Sequence, residues 1–231
     1  MAEGIVRNGI TAVLANYALC PSVKIDEIVR QSRAAVAWTY SNAESFGANP
    51  DQITVSGHSA GGHLADMLMP ISWENDFGLP QDLIKGFLPI SGLFDLAPFP
   101  FSWLQPKLQL TTDEVLRNSP LLHKPVCSSP VLVAVGEKES NEFQRQSEYY
   151  AEYLLQHGIS TKYLPVKGKN TLILLMIFWE MVELSAKKYL KDLSRIESIT
   201  GKLFHLSNVL RIDSWKTETD NDCRNLNYFF N

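Results

Sequence analysis

Residues 57–61, Gly-His-Ser-Ala-Gly, place a serine between two glycines at the spacing of a nucleophile elbow. The apolar residues 53–55 before them predict a buried strand, and residues 62–68 predict the helix that follows. A turn this sharp crowds the backbone, so small residues must flank the serine while its hydroxyl projects above the sheet. We therefore predict Ser59 as a nucleophile and the amide of Ala60 as a donor to an oxyanion. The alternative is a glycine-rich turn with an inert serine, which the flanking strand and helix disfavour.

Strands and helices on either side must position this turn. Apolar runs predict strands over residues 10–17, 53–55, 85–90, 130–135 and 161–166. Apolar residues at near-helical spacing predict a long helix over 26–46, and a second long helix is predicted over 141–157. Because strand and helix alternate repeatedly, we predict an α/β fold with about five mostly parallel strands and flanking helices.

Residues 95–129 interrupt that alternation. They are rich in proline, serine and aromatic residues, and they contain a short helix whose start is marked by the capping-box pair Thr111 and Glu114. Insertions of this kind often cover binding sites. We predict that this segment forms a lid-like insertion over a pocket.

Composition narrows the functional class. At 231 residues, with 45% hydrophobic and 20% charged side chains, the chain suits one α/β domain with a single core. Its formal net charge of −4 offers no basic surface for nucleic acid or anionic lipid. The first seven residues lack the pattern of a secretory signal, and Cys20, Cys127 and Cys223 show no disulfide or metal-binding spacing. We expect a cytoplasmic protein with a small-molecule substrate and neither a nucleic-acid nor a membrane partner, and the oligomeric state stays open.

Several segments together resemble one enzyme family. These are residues 16–21, 26–31, 57–65, 90–96 and 139–147. They resemble the kynurenine formamidase (arylformamidase) branch of the α/β-hydrolases, which is close to small carboxylesterases. The resemblance extends over about residues 3–170, and the combination of motifs is far more specific than the elbow alone.

The resemblance implies a reaction and a set of catalytic residues. The reaction is hydrolysis of a formamide, N-formylkynurenine in the best-known case, or of a small carboxylic ester, with no metal or cofactor. Ser59 would be the nucleophile, and the acid of the triad would follow the strand that ends at Val135. Family members place Asp or Glu at the position of Glu139, which we choose, although Glu137 lies two residues away and the charge of Glu139 could instead serve a helix N-terminus.

The chain departs from this family at its start. Family members carry an earlier His-Gly-Gly segment whose backbone amides complete the oxyanion hole, and no Gly-Gly precedes the elbow here. In the family sheet, the strand of that segment lies between the strand at 10–17 and the elbow strand. We therefore expect a domain truncated at the N-terminus, with buried backbone groups left in need of partners.

The second departure concerns the catalytic base. The family histidine follows the last strand in a Gly-x-Asn-His-Phe segment, whereas here Thr171 comes after residues 168–170, Gly-Lys-Asn. A nucleophilic serine needs an imidazole to take its proton and later return it. His58 and His63 flank the elbow, where the family uses neither as the base, and the remaining histidines, His123, His157 and His205, are expected to be surface or packing residues.

A reading-frame shift would account for the sequence after Asn170; the alternative is that the apolar residues 172–179 form a buried final helix. One cytosine inserted before codon 171 allows a translation that begins His-Phe-Asp, and four adjacent residue pairs force Asp, Leu, Gly and Gly whatever codons are used: 176–177, 178–179, 179–180 and 181–182. We therefore interpret residues 171–231 as an out-of-frame, poorly ordered tail that follows an incomplete hydrolase domain at 1–170. The functional prediction is an impaired serine hydrolase of the arylformamidase or carboxylesterase type. The alternative is an inactive remnant or a non-enzymatic binding protein.

Overall fold

The computed structural model describes residues 9–168, together with Val6 and the backbone of Val209–Ile212. The predictions that concern Thr171, His205 and Cys223 lie outside these residues, as does nearly all of the predicted tail. By its contacts the chain divides into two compact units. The smaller comprises Met1–Asn16, Phe46–Ala48 and Leu175–Asn231, and the larger comprises Tyr17–Ser45 and Asn49–Leu174.

The described strands follow the five predicted apolar runs and add a sixth. They are β1 (Ala12–Ala15), β2 (Ile53–His58), β3 (Ile84–Ile90), β4 (Val131–Gly136), β5 (Thr161–Val166) and β6 (Val209–Ile212). In the larger unit, β2, β3, β4 and β5 form a parallel sheet in that order. In the smaller unit, β1 pairs in parallel with β6, with Ala12 opposite Val209. The predicted α/β class is confirmed, and the sheet of the larger unit contains four of the five predicted strands.

The helices also follow the predicted pattern. They are α1 (Ile25–Asn42), α2 (Ala60–Asp66), α3 (Trp73–Phe77), α4 (Gln105–Leu108), α5 (Thr112–Asn118) and α6 (Asn141–Gln156). Short 3₁₀ turns cover Ala43–Phe46, Pro50–Gln52, Phe99–Phe101 and Pro120–Leu122. The helix after the elbow starts at Ala60, two residues earlier than predicted. In the described residues no helix is long and apolar enough to cross a membrane.

Local capping explains where two of the helices begin. At the start of α5, the Thr111 hydroxyl accepts a hydrogen bond from the Glu114 amide, and the Glu114 carboxylate accepts one from the Thr111 amide. At the start of α6, the Ser140 hydroxyl accepts a hydrogen bond from the amide of Phe143. Each contact satisfies a backbone N–H that the first turn of a helix leaves without a partner.

The core of the larger unit lies around β3 and β4. Both strands are apolar and mostly buried, as expected for strands covered on both faces. The rings of Phe94 and Tyr150 stack with centroids 4.2 Å apart, and Trp73 is fully buried in the same cluster. Strand β2 forms an edge of the four-stranded sheet, and its Thr54 and Ser56 are exposed. The described core therefore centres on β3, which pairs with the elbow strand β2, and on β4, which pairs with β3.

Residues 95–129 form a compact layer of short helices and turns. Leu96, Leu110 and Val115 make a small hydrophobic cluster within the segment. Its helix α5 is joined to α1 by an ion pair between Arg117 and Asp26, with nitrogen and oxygen 3.1 Å apart. Phe101 and Trp103 are strongly exposed. That this layer acts as a lid remains a prediction.

Candidate active site

Ser59 occupies the turn between a strand and a helix. Strand β2 ends at His58, and α2 begins at Ala60. Ser59 has φ 53° and ψ −114°, a conformation that residues other than glycine seldom adopt. Its amide donates to the carbonyl of Ile90 at 2.9 Å, and its carbonyl accepts from the amide of His63 at 3.1 Å. Because both neighbours hold the backbone, the half-buried serine is kept in this strained turn.

Close backbone packing explains the glycines around the serine. A Cβ atom on Gly57 would lie 2.1 Å from the carbonyl oxygen of Gly61, which no side chain can tolerate. A Cβ on Gly62 would lie 2.8 Å from the Cα of Gly92, in the turn after β3. Small residues at these two positions therefore let α2 start directly on top of the strand ends.

Three polar side chains follow three neighbouring strands of the sheet. Ser59 follows β2, Ser91 follows β3, and Glu139 lies three residues after β4. Because the strands are parallel, their carboxyl ends meet at one edge, which is where open α/β sheets place their sites. The fold thus brings the two sequence-predicted residues, Ser59 and Glu139, to the same edge of the sheet.

The carboxylate of Glu139 is buried, and only one of its two oxygens accepts hydrogen bonds from described residues. Its Oε1 accepts hydrogen bonds from the Ser91 hydroxyl at 2.5 Å and from the Gly136 amide at 3.0 Å. Its Oε2 is buried and has no hydrogen-bond partner within the described part of the chain. By contrast, Glu137 is exposed and accepts a hydrogen bond from the amide of Gly168 at 2.8 Å. Of the two acidic candidates, Glu139 therefore has the environment expected of a residue that receives a further donor.

Ser91 is a site residue that the sequence did not single out for chemistry. It is completely buried, has φ 47°, and donates its amide to the carbonyl of Ala134 at 2.7 Å. Its only sequence signal is its place directly after a buried strand, which many inert turn residues share.

Comparison with known proteins identifies the fold family. A family model for the alpha/beta hydrolase fold matches residues 2–172. This chain belongs to that family. The resemblance noted in the sequence is confirmed, because the relatives of this chain include kynurenine formamidases.

The similar proteins reported next are longer than this chain. Kynurenine formamidase of Salmo salar is 33% identical over 159 residues, which cover 67% of this chain and 52% of the relative. Kynurenine formamidase of Danio rerio is 30% identical over 168 residues, which cover 71% and 55%. The chain spans about half the length of these curated relatives. An esterase structure from Pyrobaculum calidifontis has a TM-score of 0.58 at 20% identity, covers 80% of this chain and 64% of its own, and shows the shared fold.

The rings of three described histidines are hydrogen-bonded away from the elbow serine. His63, His123 and His157 each donate a ring N–H to a backbone carbonyl, and the acceptors are Asn118 at 2.6 Å, Arg117 at 2.9 Å and Tyr153 at 2.8 Å. Complete burial lowers the pKa of His63 to about 4, so its imidazole is neutral at neutral pH. None of these contacts places a base beside Ser59.

His58 is the described histidine whose pKa is influenced by the candidate acid, Glu139. Burial lowers the pKa of His58, and the negative charge of Glu139 partly opposes that shift. Its Nε2 is buried without a hydrogen-bond partner in the described residues. Within that same part of the chain, no histidine ring is hydrogen-bonded to either Ser59 or Glu139.

The helix that starts at the elbow also buries an acid that sequence reasoning missed. Asp66 is fully buried, and within the described residues neither of its oxygens has a hydrogen-bond partner. Burial raises the pKa of Asp66 well above its ordinary value, and the nearby Tyr150 hydroxyl opposes the rise. Within the described residues, no three histidine, cysteine, aspartate or glutamate side chains are grouped so that they could hold a metal ion.

Proposed function

We propose that this chain is a serine hydrolase of the arylformamidase or carboxylesterase type, acting on a formamide or a small carboxylic ester. The observation that carries the proposal is the strained Ser59 at a strand end that shares one sheet edge with the buried Glu139. A strained backbone at a serine and a buried carboxylate with one unpaired oxygen are features of catalytic sites. A turn with an inert serine would require neither.

The proposed reaction uses these residues in sequence. The Ser59 oxygen attacks the carbonyl carbon of the substrate, and the Ala60 amide, the first of α2, donates to the oxyanion that forms. The C–N or C–O bond then breaks, the amine or alcohol leaves with the proton given up by the Ser59 hydroxyl, and an acyl ester remains on Ser59. Water hydrolyses this ester, which releases formate or the carboxylic acid and restores the serine hydroxyl. Glu139 would orient an imidazole, because its Oε2 is available to accept a ring N–H.

The supply of a base sets the expected rate. No described histidine ring is hydrogen-bonded to Ser59, and our prediction that Thr171 takes the place of the family histidine concerns a residue outside the described range. An enzyme that has lost one triad member keeps roughly 10³–10⁴-fold catalysis over water. We therefore propose an impaired enzyme, at least about a thousandfold slower than a relative with a complete triad.

The substrate class rests on the relatives. Those with the highest identities reported above are named kynurenine formamidase, which favours a formamide such as N-formylkynurenine. The structural likeness to an esterase carries the fold and not the substrate. Small carboxylic esters are the second candidate, because their carbonyl chemistry is the same.

One comparison of variants tests the proposal. Hydrolysis of p-nitrophenyl acetate and of N-formylkynurenine would be measured for the chain, for Ser59→Ala and for the matched control Ser56→Ala on the same strand. We expect Ser59→Ala to remove the protein-dependent rate, while Ser56→Ala retains it. Equal rates for all three proteins would contradict an enzymatic role and favour the remnant or binding protein.

A further inference from the structure

We infer that Ser91 is a positioning residue whose hydroxyl fixes the carboxylate of Glu139. This inference rests on the proposed function, in which Glu139 is the acid that orients the base. Nothing in the local sequence requires a serine at this point, since a turn after a buried strand is met equally well by glycine.

The hydrogen bonds on Glu139 are arranged on one side. The Ser91 hydroxyl and the Gly136 amide both donate to Oε1, at 2.5 and 3.0 Å. Two donors on one oxygen fix the rotation of the carboxylate and leave Oε2 without a described partner. A carboxylate held in this way presents its second oxygen in one direction, as a residue that orients an imidazole must.

The backbone at Ser91 is held in place from both sides. Its amide donates to Ala134 on β4 at 2.7 Å, and a Cβ on the next residue, Gly92, would lie 2.6 Å from the ring of Phe94. Ser91 therefore keeps its φ of 47°, in the left-handed region where glycine is favoured. A serine at a position that favours glycine is explained by the role of its side chain. The one described side-chain hydrogen bond of Ser91 is its bond to Glu139.

A double-mutant cycle tests the contact independently of activity. Urea unfolding would be measured for the chain, for Ser91→Ala, for Glu139→Ala and for the double variant. A charge-assisted contact buried on both sides should appear as about a tenfold departure from additivity in the unfolding equilibrium constants. Additive effects, within about twofold, would overturn the inference whatever the activity of the chain.

Kinetics test whether the contact positions the acid or only supports the fold. Hydrolysis of p-nitrophenyl acetate would be compared for the chain, Ser91→Ala and Ser91→Gly. Glycine adopts the positive φ of residue 91 without strain, so Ser91→Gly should unfold at a higher urea concentration than Ser91→Ala. Both variants lack the hydroxyl. With imidazole added as the base that Glu139 would orient, and its uncatalysed rate subtracted, we expect both to lower kcat about tenfold with KM within twofold, because the lost interaction acts after binding.

The outcomes are separable. If kcat follows the stability of the variants instead of the presence of the hydroxyl, or stays unchanged, Ser91 is structural and the inference is wrong. If hydrolysis by the chain does not depend on Ser59, the proposed function fails. In that case the cycle still decides whether Ser91 fixes Glu139.

Discussion

Asp66 is the residue at which a single substitution should stabilise the protein. Its carboxyl is completely buried at the end of α2 and has no described hydrogen-bond partner. Leaving a buried polar group without a partner costs about 1–3 kcal/mol in proteins. Alanine removes that cost and favours the helix by up to about 0.7 kcal/mol, while the small cavity costs about 1 kcal/mol. We expect Asp66→Ala to raise the free energy of unfolding by about 1–2 kcal/mol at neutral pH.

The stability gained by removing the Asp66 carboxyl should increase with pH. Because burial raises the pKa of Asp66 in the folded protein, the folded state holds its proton after the unfolded chain has lost it. Below the ordinary pKa of about 3.9, Asp66 is protonated in both the folded and the unfolded state, so its pH-dependent contribution to stability is zero. Above that pH, the wild-type protein loses up to about 1.4 kcal/mol of stability per pH unit until the folded state also ionises. Asp66→Asn has nearly the same shape and cannot ionise, so its advantage over the wild type should grow with pH.

Urea unfolding at pH 5 and pH 7 measures both effects. The exposed Asp51 provides a matched control, and Asp51→Asn should change stability by less than about 0.5 kcal/mol at either pH. The reasoning would be refuted if Asp66→Ala were less stable than the wild type, or if the difference between Asp66→Asn and wild type were the same at both pH values.

Three further substitutions test the elbow and its neighbouring helix. Gly57→Ala should destabilise the fold by more than about 3 kcal/mol, because its Cβ would meet the Gly61 carbonyl at 2.1 Å, whereas Gly61→Ala, with open space at its Cβ, should be neutral or stabilising; thermal unfolding of the pair decides this. His63→Gln should remove one source of pH-dependent stability. The pKa of His63 falls from an ordinary 6.5 in the unfolded chain to about 4 in the folded protein, so the stability that this histidine allows above pH 6.5 is lost as the pH falls toward 4. Between pH 7 and pH 5 the wild type should lose about 2 kcal/mol more than this variant, and an equal pH dependence of the two in urea would contradict the assignment.

Much of the fold follows from signals that act over a few residues. Five strands and the two long helices lie where hydrophobic periodicity predicts them, and the Thr111–Glu114 capping box forms as its spacing indicates. The turn at Ser59 is likewise a local matter, because a strand, small residues and a helix within 57–61 leave the backbone few alternatives. Periodicity, capping and turn chemistry are properties of neighbouring residues, so the sequence alone determines them.

The tertiary structure decides what those elements bring together. Ser91 and Glu139 are 48 positions apart and meet only because β3 and β4 are neighbours with their ends aligned. Asp66 continues an ordinary helical sequence, and its burial depends on packing near Tyr150 from a helix about eighty residues later. The pairing of β1 with β6 is also set by the assembled chain. Contacts between distant residues depend on strand order and on what covers each face, and no local pattern in the sequence encodes either.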